Sequence, residues 1–257
     1  MPTPAVTVVL PAFNRRDLLP RALRSVLEQS FADLELLVVD DGSTDGTPEV
    51  AEAVGDPRVR VIRLGVNRGQ SVARNTGIAQ ARGRFIAFQD SDDAWLPGKL
   101  ARQVDVLERK PEVAMVYGDL ERVPVAGEPF VIRAPDLVRG RVMDDRSSGY
   151  AAYGLGIQTC CVRAGVFQSI GMFREAMRCF EDLEFFLRFT RRFGAERIPE
   201  PVVRYYETDG VSTVNGHEYA ARRFLLRRFA WDILRQRPSW WWRERTNIRL
   251  QRRLDLP

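Results

Sequence analysis

The sequence predicts an α/β fold in which helices cover both faces of a mostly parallel β-sheet. Two patterns in residues 1–118 support this prediction. Short β-branched runs alternate with longer segments whose apolar residues recur at helical spacing, which is the arrangement of βαβ units. The runs are apolar almost throughout, as expected of parallel strands that are buried on both faces. A chain of 257 residues is long enough to bury such a sheet.

The elements of the first half follow one another without long loops. Thr47 and Pro48 suit the N-cap and first turn of a helix, and Gly83 suits the end of the next helix. Strands are predicted at residues 6–10, 34–39, 59–64, 85–90 and 113–118. Helices are predicted within residues 16–30, from residue 47, at residues 71–81 and at residues 97–109.

The second half is less regular. Residues 120–150 contain Pro, Gly and Asp with little periodicity, which predicts a loop or flap. Beyond them we predict a strand at residues 156–162, a short helix at 163–170 and an amphipathic helix at 182–193.

Composition sets limits on the class of protein. Hydrophobic residues make up 45% and charged residues 28% of the chain, as in globular proteins. There is no run of eighteen apolar residues and no basic-then-apolar leader, so we expect a cytoplasmic protein. The three cysteines, Cys160, Cys161 and Cys179, lack metal-ligand spacing, and the adjacent pair is predicted to be strand residues rather than a disulfide.

Polar residues follow four of the predicted strands. Because parallel strands present their carboxyl ends at one edge of a sheet, where such folds bind ligands, we expect these residues to meet. Crowded carboxylates repel one another and are tolerated where a cation or hydrogen-bond donors lie among them. The four clusters are residues 11–14, 40–41, 67–69 and 90–93.

The segment from Asp41 to Glu52 has two further interpretations. It reads D-x-S-x-D-G-x5-E, close to an EF-hand calcium loop, but a strand precedes it and Pro48 stands where the loop needs an apolar residue. It is also compatible with a simple Asx-rich turn. No G-x-G-x-x-G or P-loop pattern follows the first strand, which disfavours those phosphate sites. The strand-end carboxylates instead suit base and ribose hydrogen bonds, or a hard divalent ion.

Five segments together resemble glycosyltransferase family 2. They are VVLPAFNR, VVDDGSTDGT, NRGQSVARNTG, FQDSDDAWLPGKL and FEDLEFFLRF, and they occur in the family's order and approximate spacing within residues 5–213. The resemblance implies a GT-A fold and inverting transfer of a sugar from a nucleotide-sugar, with a UDP-sugar as the expected donor. The acceptor would be a hydroxyl of a glycan or lipid-linked glycan, as in bacterial polysaccharide, cell-wall or glycolipid synthesis. It also implies a catalytic domain at residues 1–216, with a nucleotide-binding half (1–118) and an acceptor-binding half (119–216), followed by a helical extension at 217–257.

The resemblance assigns roles in binding the nucleotide-sugar. Asp41 would accept a hydrogen bond from the base, while Asp40 orders the loop. Arg74 would line the nucleotide pocket, although a solvated surface arginine is the simpler alternative. Asp90 would face the ribose. The remaining members of this predicted set are Pro11, Ala12, Phe13 and Asn14, which would wrap the base, and Ser91.

The resemblance also assigns the chemistry. Asp92 would ligate Mg²⁺ or Mn²⁺, which stabilises the charge of the leaving nucleoside diphosphate. Asp182 would be the general base that takes the proton of the acceptor hydroxyl, with Glu181 available to orient the acceptor. Two acids at a helix start are also favoured by the helix dipole alone. Retention of both Asp92 and Asp182 argues against a non-catalytic binding module of the same fold.

One position departs from the family pattern. Many members carry a histidine after a late strand that completes the metal shell, whereas this chain has Tyr206 or Glu207 near that place. His217, the one histidine, lies too late. We therefore expect the ion to depend on Asp92, the diphosphate and water, unless Glu207 substitutes.

Residues 217–257 are basic and aromatic. Eleven arginines stand against four acids there. An amphipathic element that docks on anionic lipid is one interpretation, which would place the protein at the inner face of the membrane. A helix packed on the catalytic domain is the alternative. No nucleic-acid recognition module is present, so no nucleic-acid partner is expected.

Overall fold

The computed structural model describes residues 3–140, 155–207, 217–236, 241–242 and 245–246. In this part of the chain, nine strands form one mixed sheet. The strands are β1 (Val6–Ala12), β2 (Leu34–Asp40), β3 (Val59–Arg63), β4 (Phe85–Phe88), β5 (Ala94–Trp95), β6 (Val113–Val123), β7 (Phe130–Ile132), β8 (Cys161–Arg163) and β9 (Gly194–Tyr206). The helices are α1 (Leu19–Leu27), α2 (Thr47–Glu52), α3 (Gln70–Gln80), α4 (Lys99–Arg109), α5 (Gly165–Ile170), α6 (Glu181–Thr190), α7 (Glu218–Arg228) and α8 (Ala230–Gln236).

The first half of the sheet is parallel, as predicted. The strands lie in the order β3-β2-β1-β4, and all three pairings among them are parallel. Ala12 at the end of β1 lies beside Asp40 at the end of β2, so the loops that follow these strands leave from the same edge. The predicted α/β class is confirmed.

The second half adds antiparallel pairings. β8 lies between β4 and β6 and is antiparallel to both, while β9 runs parallel to β6. β5 pairs antiparallel with β9. These pairings bring residues from both halves of the chain to the polar edge of the sheet.

Two predicted elements differ from the structure. The predicted loop at residues 120–150 was wrong in its first part, because β6 continues to Val123 and forms a hairpin with β7; residues 141–154 lie outside the described residues. The predicted strand at 156–162 begins instead as a short 3₁₀ turn, Ile157–Thr159, and becomes a strand only at Cys161.

The sheet separates two apolar layers. Val8 and Val9 of β1 are both fully buried but belong to different layers, as alternation along a strand requires. The layer that contains Val9 is rich in aromatic rings, with the Phe167 and Phe185 rings stacked at 5.3 Å. The helical extension contributes to this layer through Ala221, Leu225, Leu226, Phe229 and Ile233. Of the two interpretations of the tail, packing on the domain is therefore correct for these residues.

The cysteines have no covalent partners. Cys160, Cys161 and Cys179 are buried free thiols, and burial raises the pKa of both Cys160 and Cys161 to about 12. In the described residues, no helix combines the length and apolarity needed to cross a bilayer.

Candidate active site

The loops after β1 and β2 are tied to each other. Asn14, which has a positive φ of 50°, donates its backbone N–H to Ser43 Oγ at 2.9 Å and accepts from the Thr44 N–H through Oδ1 at 2.9 Å. Pro11 and Ala12 are buried inside β1, whereas Phe13 is 40% exposed. The side chains of Phe13 and Asn14 are thus available at the edge of the sheet, while Pro11 and Ala12 form its floor.

Asp40 and Asp41 have separate tasks in the second loop. The Ser43 N–H donates to both carboxylate oxygens of Asp40, each at 3.3 Å, so Asp40 orders the loop. Asp41 is 3% exposed, and its two oxygens accept from the backbone N–H groups of Arg68 and Gly69 at 2.8 and 2.7 Å. These bonds join the β2 loop to the start of α3 and leave each Asp41 oxygen with a further lone pair.

The acidic segment after β4 places its side chains in different surroundings. Asp90 is paired with Arg74, and Ser91 is buried. Asp92 is 28% exposed in its side chain, with Arg15 Nε 3.7 Å from its Oδ2. Asp93 is fully buried and accepts from Gln158 Nε2 at 3.2 Å and from the Tyr206 N–H at 3.3 Å, which fixes the segment against β9.

These carboxylates repel one another. Burial raises the pKa of Asp92, and the neighbouring Asp90 raises it further, while Arg15 lowers it. Burial, Asp90 and Asp92 hold the pKa of Asp93 well above its usual value. A cation at this place would be stabilised by the excess negative charge.

A buried arginine connects this segment to the start of α6. Arg74 on α3 donates through Nη2 to Asp90 Oδ1 at 2.8 Å and through Nη1 to Glu181 Oε1 at 2.6 Å. Its side chain is only 4% exposed, so the alternative of a solvated surface arginine was wrong. Gln70, one helical turn before Arg74, donates to the same Glu181 oxygen at 2.7 Å. Glu181 is therefore held by two side chains of α3.

Asp182 follows Glu181 in the first turn of α6. The helix is preceded by Phe180 in a left-handed conformation, with φ of 57°, which is unusual for an aromatic residue. Burial and the adjacent Glu181 raise the pKa of Asp182 to about 7, while Arg74 lowers it. The Leu183 N–H donates to Asp182 Oδ1 at 2.7 Å, which orients the carboxylate.

Asp90, Arg74 and Asp182 share one cavity of about 330 Å³. Asp41 and Asp92 do not line it; Asp41 faces the start of α3, and Asp92 faces Arg15. Among the other residues that line the cavity, sequence reasoning missed four with amide, guanidinium or hydroxyl groups. They are Gln70, Arg122, Gln158 and Tyr205.

Of these four, Gln70 could have been found, because it lies four residues before Arg74 and hence on the same face of α3. The others had no local signal. Arg122 lies in the segment predicted as a loop, and Tyr205 reaches the cavity through the β6–β9 pairing.

The residues near Asp92 show which groups could hold a divalent ion. In the described residues, no group of three His, Cys, Asp or Glu side chains is arranged around one point. Glu207, the suggested substitute for histidine, is paired instead with Arg122 at 2.5 Å, and the Tyr206 ring lies 3.6 Å from the Arg21 guanidinium carbon. Asp92 nevertheless offers a half-buried hard oxygen donor, and Mg²⁺ commonly uses one or two carboxylates together with substrate phosphates. The residues present thus fit an ion that is shared with a diphosphate.

Comparisons with known proteins identify the family. The family model described as Glycosyl transferase family 2 matches residues 7–151. The chain is 49% identical over 102 residues to the succinoglycan biosynthesis protein ExoO of Rhizobium meliloti, covering 40% of this chain and 29% of that protein. It is 37% identical over 116 residues to the Escherichia coli UDP-Glc:alpha-D-GlcNAc-diphosphoundecaprenol beta-1,3-glucosyltransferase WfgD, covering 45% and 46%. The chain therefore spans less than half the length of these relatives.

Solved structures share the fold over most of this chain. Staphylococcus aureus TarS 1–349 in complex with UDP-GlcNAc superposes with a TM-score of 0.71 at 22% identity, covering 90% of this chain and 67% of that one. The mannosyltransferase PcManGT from Pyrobaculum calidifontis, in complex with GDP-Man and Mn²⁺, gives a TM-score of 0.60 at 22% identity, covering 90% and 64%. At these identities the likeness concerns the fold. The family match covers more than half of the sequence, and the chain belongs to glycosyltransferase family 2.

Proposed function

We propose that this chain transfers a sugar from a nucleotide-sugar donor to a hydroxyl acceptor, with inversion at the anomeric carbon. One observation carries the proposal: Asp90, assigned to the donor, and Asp182, assigned as the base, line one cavity and are joined through Arg74 and Glu181. Donor binding and proton removal would thus occur at adjoining positions.

Asp182 is suited to proton removal. A general base works best when its pKa is near the operating pH, and the pKa of Asp182 is about 7. The acceptor oxygen attacks the anomeric carbon as the bond to the diphosphate breaks, and its proton passes to Asp182. The Leu183 N–H holds Oδ1 at 2.7 Å, which keeps Oδ2 oriented during the transfer.

The donor would lie along the edge formed by the β1, β2 and β4 loops. Asp41 has lone pairs left to accept from the base, and Phe13, directly after β1, offers a ring that is 40% exposed. Asp90, held by Arg74 at 2.8 Å, would accept from the ribose. Pro11, Ala12, Asn14 and the buried Ser91 would shape the surrounding wall.

A divalent ion would be held by Asp92 together with the donor's diphosphate and water. When bound, Mg²⁺ or Mn²⁺ stabilises the negative charge that develops on the leaving diphosphate. The complex of PcManGT with Mn²⁺ supports the use of such an ion in this fold.

Relatives suggest the donor and acceptor classes. WfgD is named for a UDP-glucose donor and a diphosphoundecaprenol-linked acceptor, and TarS was solved with UDP-GlcNAc. We propose a UDP-sugar and a glycan or lipid-linked glycan for this chain, with dTDP and GDP donors as alternatives.

Thermal denaturation with nucleotides tests the donor assignment. We expect UDP or a UDP-sugar with Mn²⁺ to raise the melting temperature, since a ligand at 100 times its Kd stabilises by about 2.7 kcal/mol. GDP and dTDP serve as comparison ligands. If none of these nucleotides or their sugars shifts the transition, the donor proposal fails.

The variant Asp182→Asn tests the chemistry separately. Release of nucleoside diphosphate from the donor should fall at least about 100-fold, the lower end of the contribution of a general base, while the nucleotide-induced thermal shift persists. The exposed Asp33→Asn variant is the control. Release at the wild-type rate in Asp182→Asn would move the base elsewhere, and release from neither protein would favour a non-catalytic binding module.

We also propose that the helical extension contacts anionic lipid. Its apolar face is buried in the core, yet Trp231 is 85% exposed and Trp242 is 57% exposed. The Arg245 guanidinium lies over the rings of both Trp241 and Trp242. Exposed tryptophans beside arginines suit a headgroup layer. A membrane-bound acceptor would then be met at the inner face of the membrane.

Point variants test the lipid contact without removing core residues. We expect Trp231→Ser with Trp242→Ser to reduce sedimentation with vesicles that contain anionic lipid, and the wild type to leave zwitterionic vesicles unbound. Equal sedimentation of the two proteins with anionic vesicles would contradict the proposal.

A further inference from the structure

We propose that Arg15 is a diphosphate-binding residue that, before the donor arrives, neutralises Asp92 in place of the divalent ion. This inference rests on the proposed function. It concerns a residue to which neither the sequence nor the family resemblance assigned a role. Donor binding would thus replace the contact between Arg15 and Asp92 by two new ones. The ion would bind Asp92, and Arg15 would bind the phosphates of the donor.

The backbone of Arg15 is fixed while its side chain is only loosely held. Its N–H donates to Thr47 Oγ1 at 2.8 Å, and the preceding Asn14 is tied to the β2 loop. Within the described residues the guanidinium makes one hydrogen bond, from Nη1 to the Asn14 carbonyl at 3.3 Å. Nη2 has no hydrogen-bond partner among the described residues, and the side chain is 25% exposed. Hydrogen-bond donors are therefore available for a ligand.

The contact of Arg15 with Asp92 is an ion pair rather than a hydrogen bond. Arg15 Nε lies 3.7 Å from Asp92 Oδ2, beyond hydrogen-bond distance. By contrast, Arg74 bonds Asp90 at 2.8 Å. A pair of this length can be displaced by a divalent ion, whose charge is twofold and which binds carboxylate oxygen directly.

The other charged groups near Asp92 have further contacts of their own. Arg21 donates through Nη2 to the Asp92 carbonyl at 2.5 Å and stacks on the Tyr206 ring; its charge also lowers the pKa of Asp92, but less than Arg15 does. Glu207 pairs with Arg122. In the described part of the chain, Arg15 is thus the cation within ion-pair distance of the Asp92 carboxylate.

Arg15 and the divalent ion therefore compete for Asp92 until the donor binds. Without donor, a divalent ion must displace Arg15 from Asp92 and therefore binds weakly. With donor, the guanidinium gains phosphate oxygens, which it binds in a charge-assisted geometry, and the ion gains the same diphosphate as a ligand. Removing the guanidinium should therefore change the two affinities in opposite directions.

Two binding measurements test this exchange. Mn²⁺ binding to donor-free protein is followed by the electron paramagnetic resonance signal of free Mn²⁺, and nucleoside diphosphate binding with Mn²⁺ present is followed by calorimetry. UDP, GDP and dTDP are each titrated into the wild type, and the tightest is used for the variants. Neither readout depends on catalytic activity.

The variants are Arg15→Ala, Arg15→Lys and the matched control Arg16→Ala, which removes the same charge from the exposed neighbouring residue. We expect Arg15→Ala to bind Mn²⁺ alone more tightly than the wild type and the nucleoside diphosphate about tenfold or more weakly. Arg15→Lys should lie between, and Arg16→Ala should remain within about twofold for both ligands, as an exposed charge does.

Three outcomes would overturn the inference. If Arg15→Ala behaves as Arg16→Ala does, Arg15 has no special contact with either ligand. If Arg15→Ala weakens both ligands, its role is only to support the loop. If the wild type binds none of the three nucleoside diphosphates, the proposed function fails and this inference with it.

Discussion

Replacing Asp182 by Asn should stabilise the folded protein, and the gain should grow with pH. The cause is burial: the carboxylate has left water and lies beside Glu181, which together raise its pKa to about 7 from the usual 3.8. A carboxyl group whose pKa is raised by folding costs no stability below its unfolded pKa; the cost grows as the pH rises above that value and levels off above the folded pKa. Asparagine keeps the shape and the Oδ1 acceptor for the Leu183 N–H but carries no charge.

The magnitude follows from the two pKa values. At 1.36 kcal/mol per pKa unit, the raised pKa lowers the free energy of unfolding by about 4 kcal/mol at pH 8 and by less than half of that at pH 5, where the folded protein keeps the carboxyl protonated. The stability difference between Asp182→Asn and the wild type should therefore rise by roughly 2–3 kcal/mol between pH 5 and pH 8. For a protein of this size, this corresponds to about 5–10 °C in melting temperature.

The assay is thermal denaturation of both proteins at pH 5 and pH 8, without nucleotide or metal. The control is Asp33→Asn, which removes an exposed carboxylate and should change little at either pH. If Asp182→Asn is no more stable than the wild type at pH 8, or if its advantage is the same at both pH values, the carboxylate is not held in a raised-pKa site. The raised pKa that suits Asp182 to act as a general base would then be absent.

Two other substitutions test neighbouring parts of the structure. If Asp182 is the proposed general base, it must be deprotonated to act, so kcat/KM for nucleoside diphosphate release should fall as the pH drops through about 7. Glu181→Gln removes a charge that raises this pKa and should move the midpoint to lower pH; an unmoved midpoint would contradict that cause. Phe229 is buried in the aromatic layer, so Phe229→Ala should lower the free energy of unfolding by about 3–5 kcal/mol. Urea denaturation measures this loss. A loss below about 1 kcal/mol would show that the extension is not part of the core.

The parallel half of the fold could be predicted because its signals are local. Apolar runs identify β1, β2 and β4, and the rule that ligands bind at the carboxyl ends of parallel strands places Asn14, Asp41 and Asp90 at one edge. The structure shows that edge directly, with Asn14 bonded to the β2 loop. The family motifs added Arg74 and Asp182, whose meeting in one cavity requires α3 and α6 to face each other.

The remaining contacts depend on pairings between distant segments, which no local pattern records. β8 enters the sheet between β4 and β6 as an antiparallel strand, and its short length hides it. The β6–β9 pairing places Glu207 beside Arg122, which the sequence position of Glu207 alone could not indicate. Arg15 looked like one of many arginines until the fold placed it against Asp92.

A crystal structure with the stabilising nucleoside diphosphate and Mn²⁺ would examine the central claim most directly. We predict the base at Asp41, the ribose at Asp90 and the diphosphate between Asp92 and Arg15, with Asp182 in the cavity that it shares with Asp90. A nucleotide bound at the opposite edge of the sheet, in the hollow lined by Arg58, Arg60 and Arg82, would contradict it.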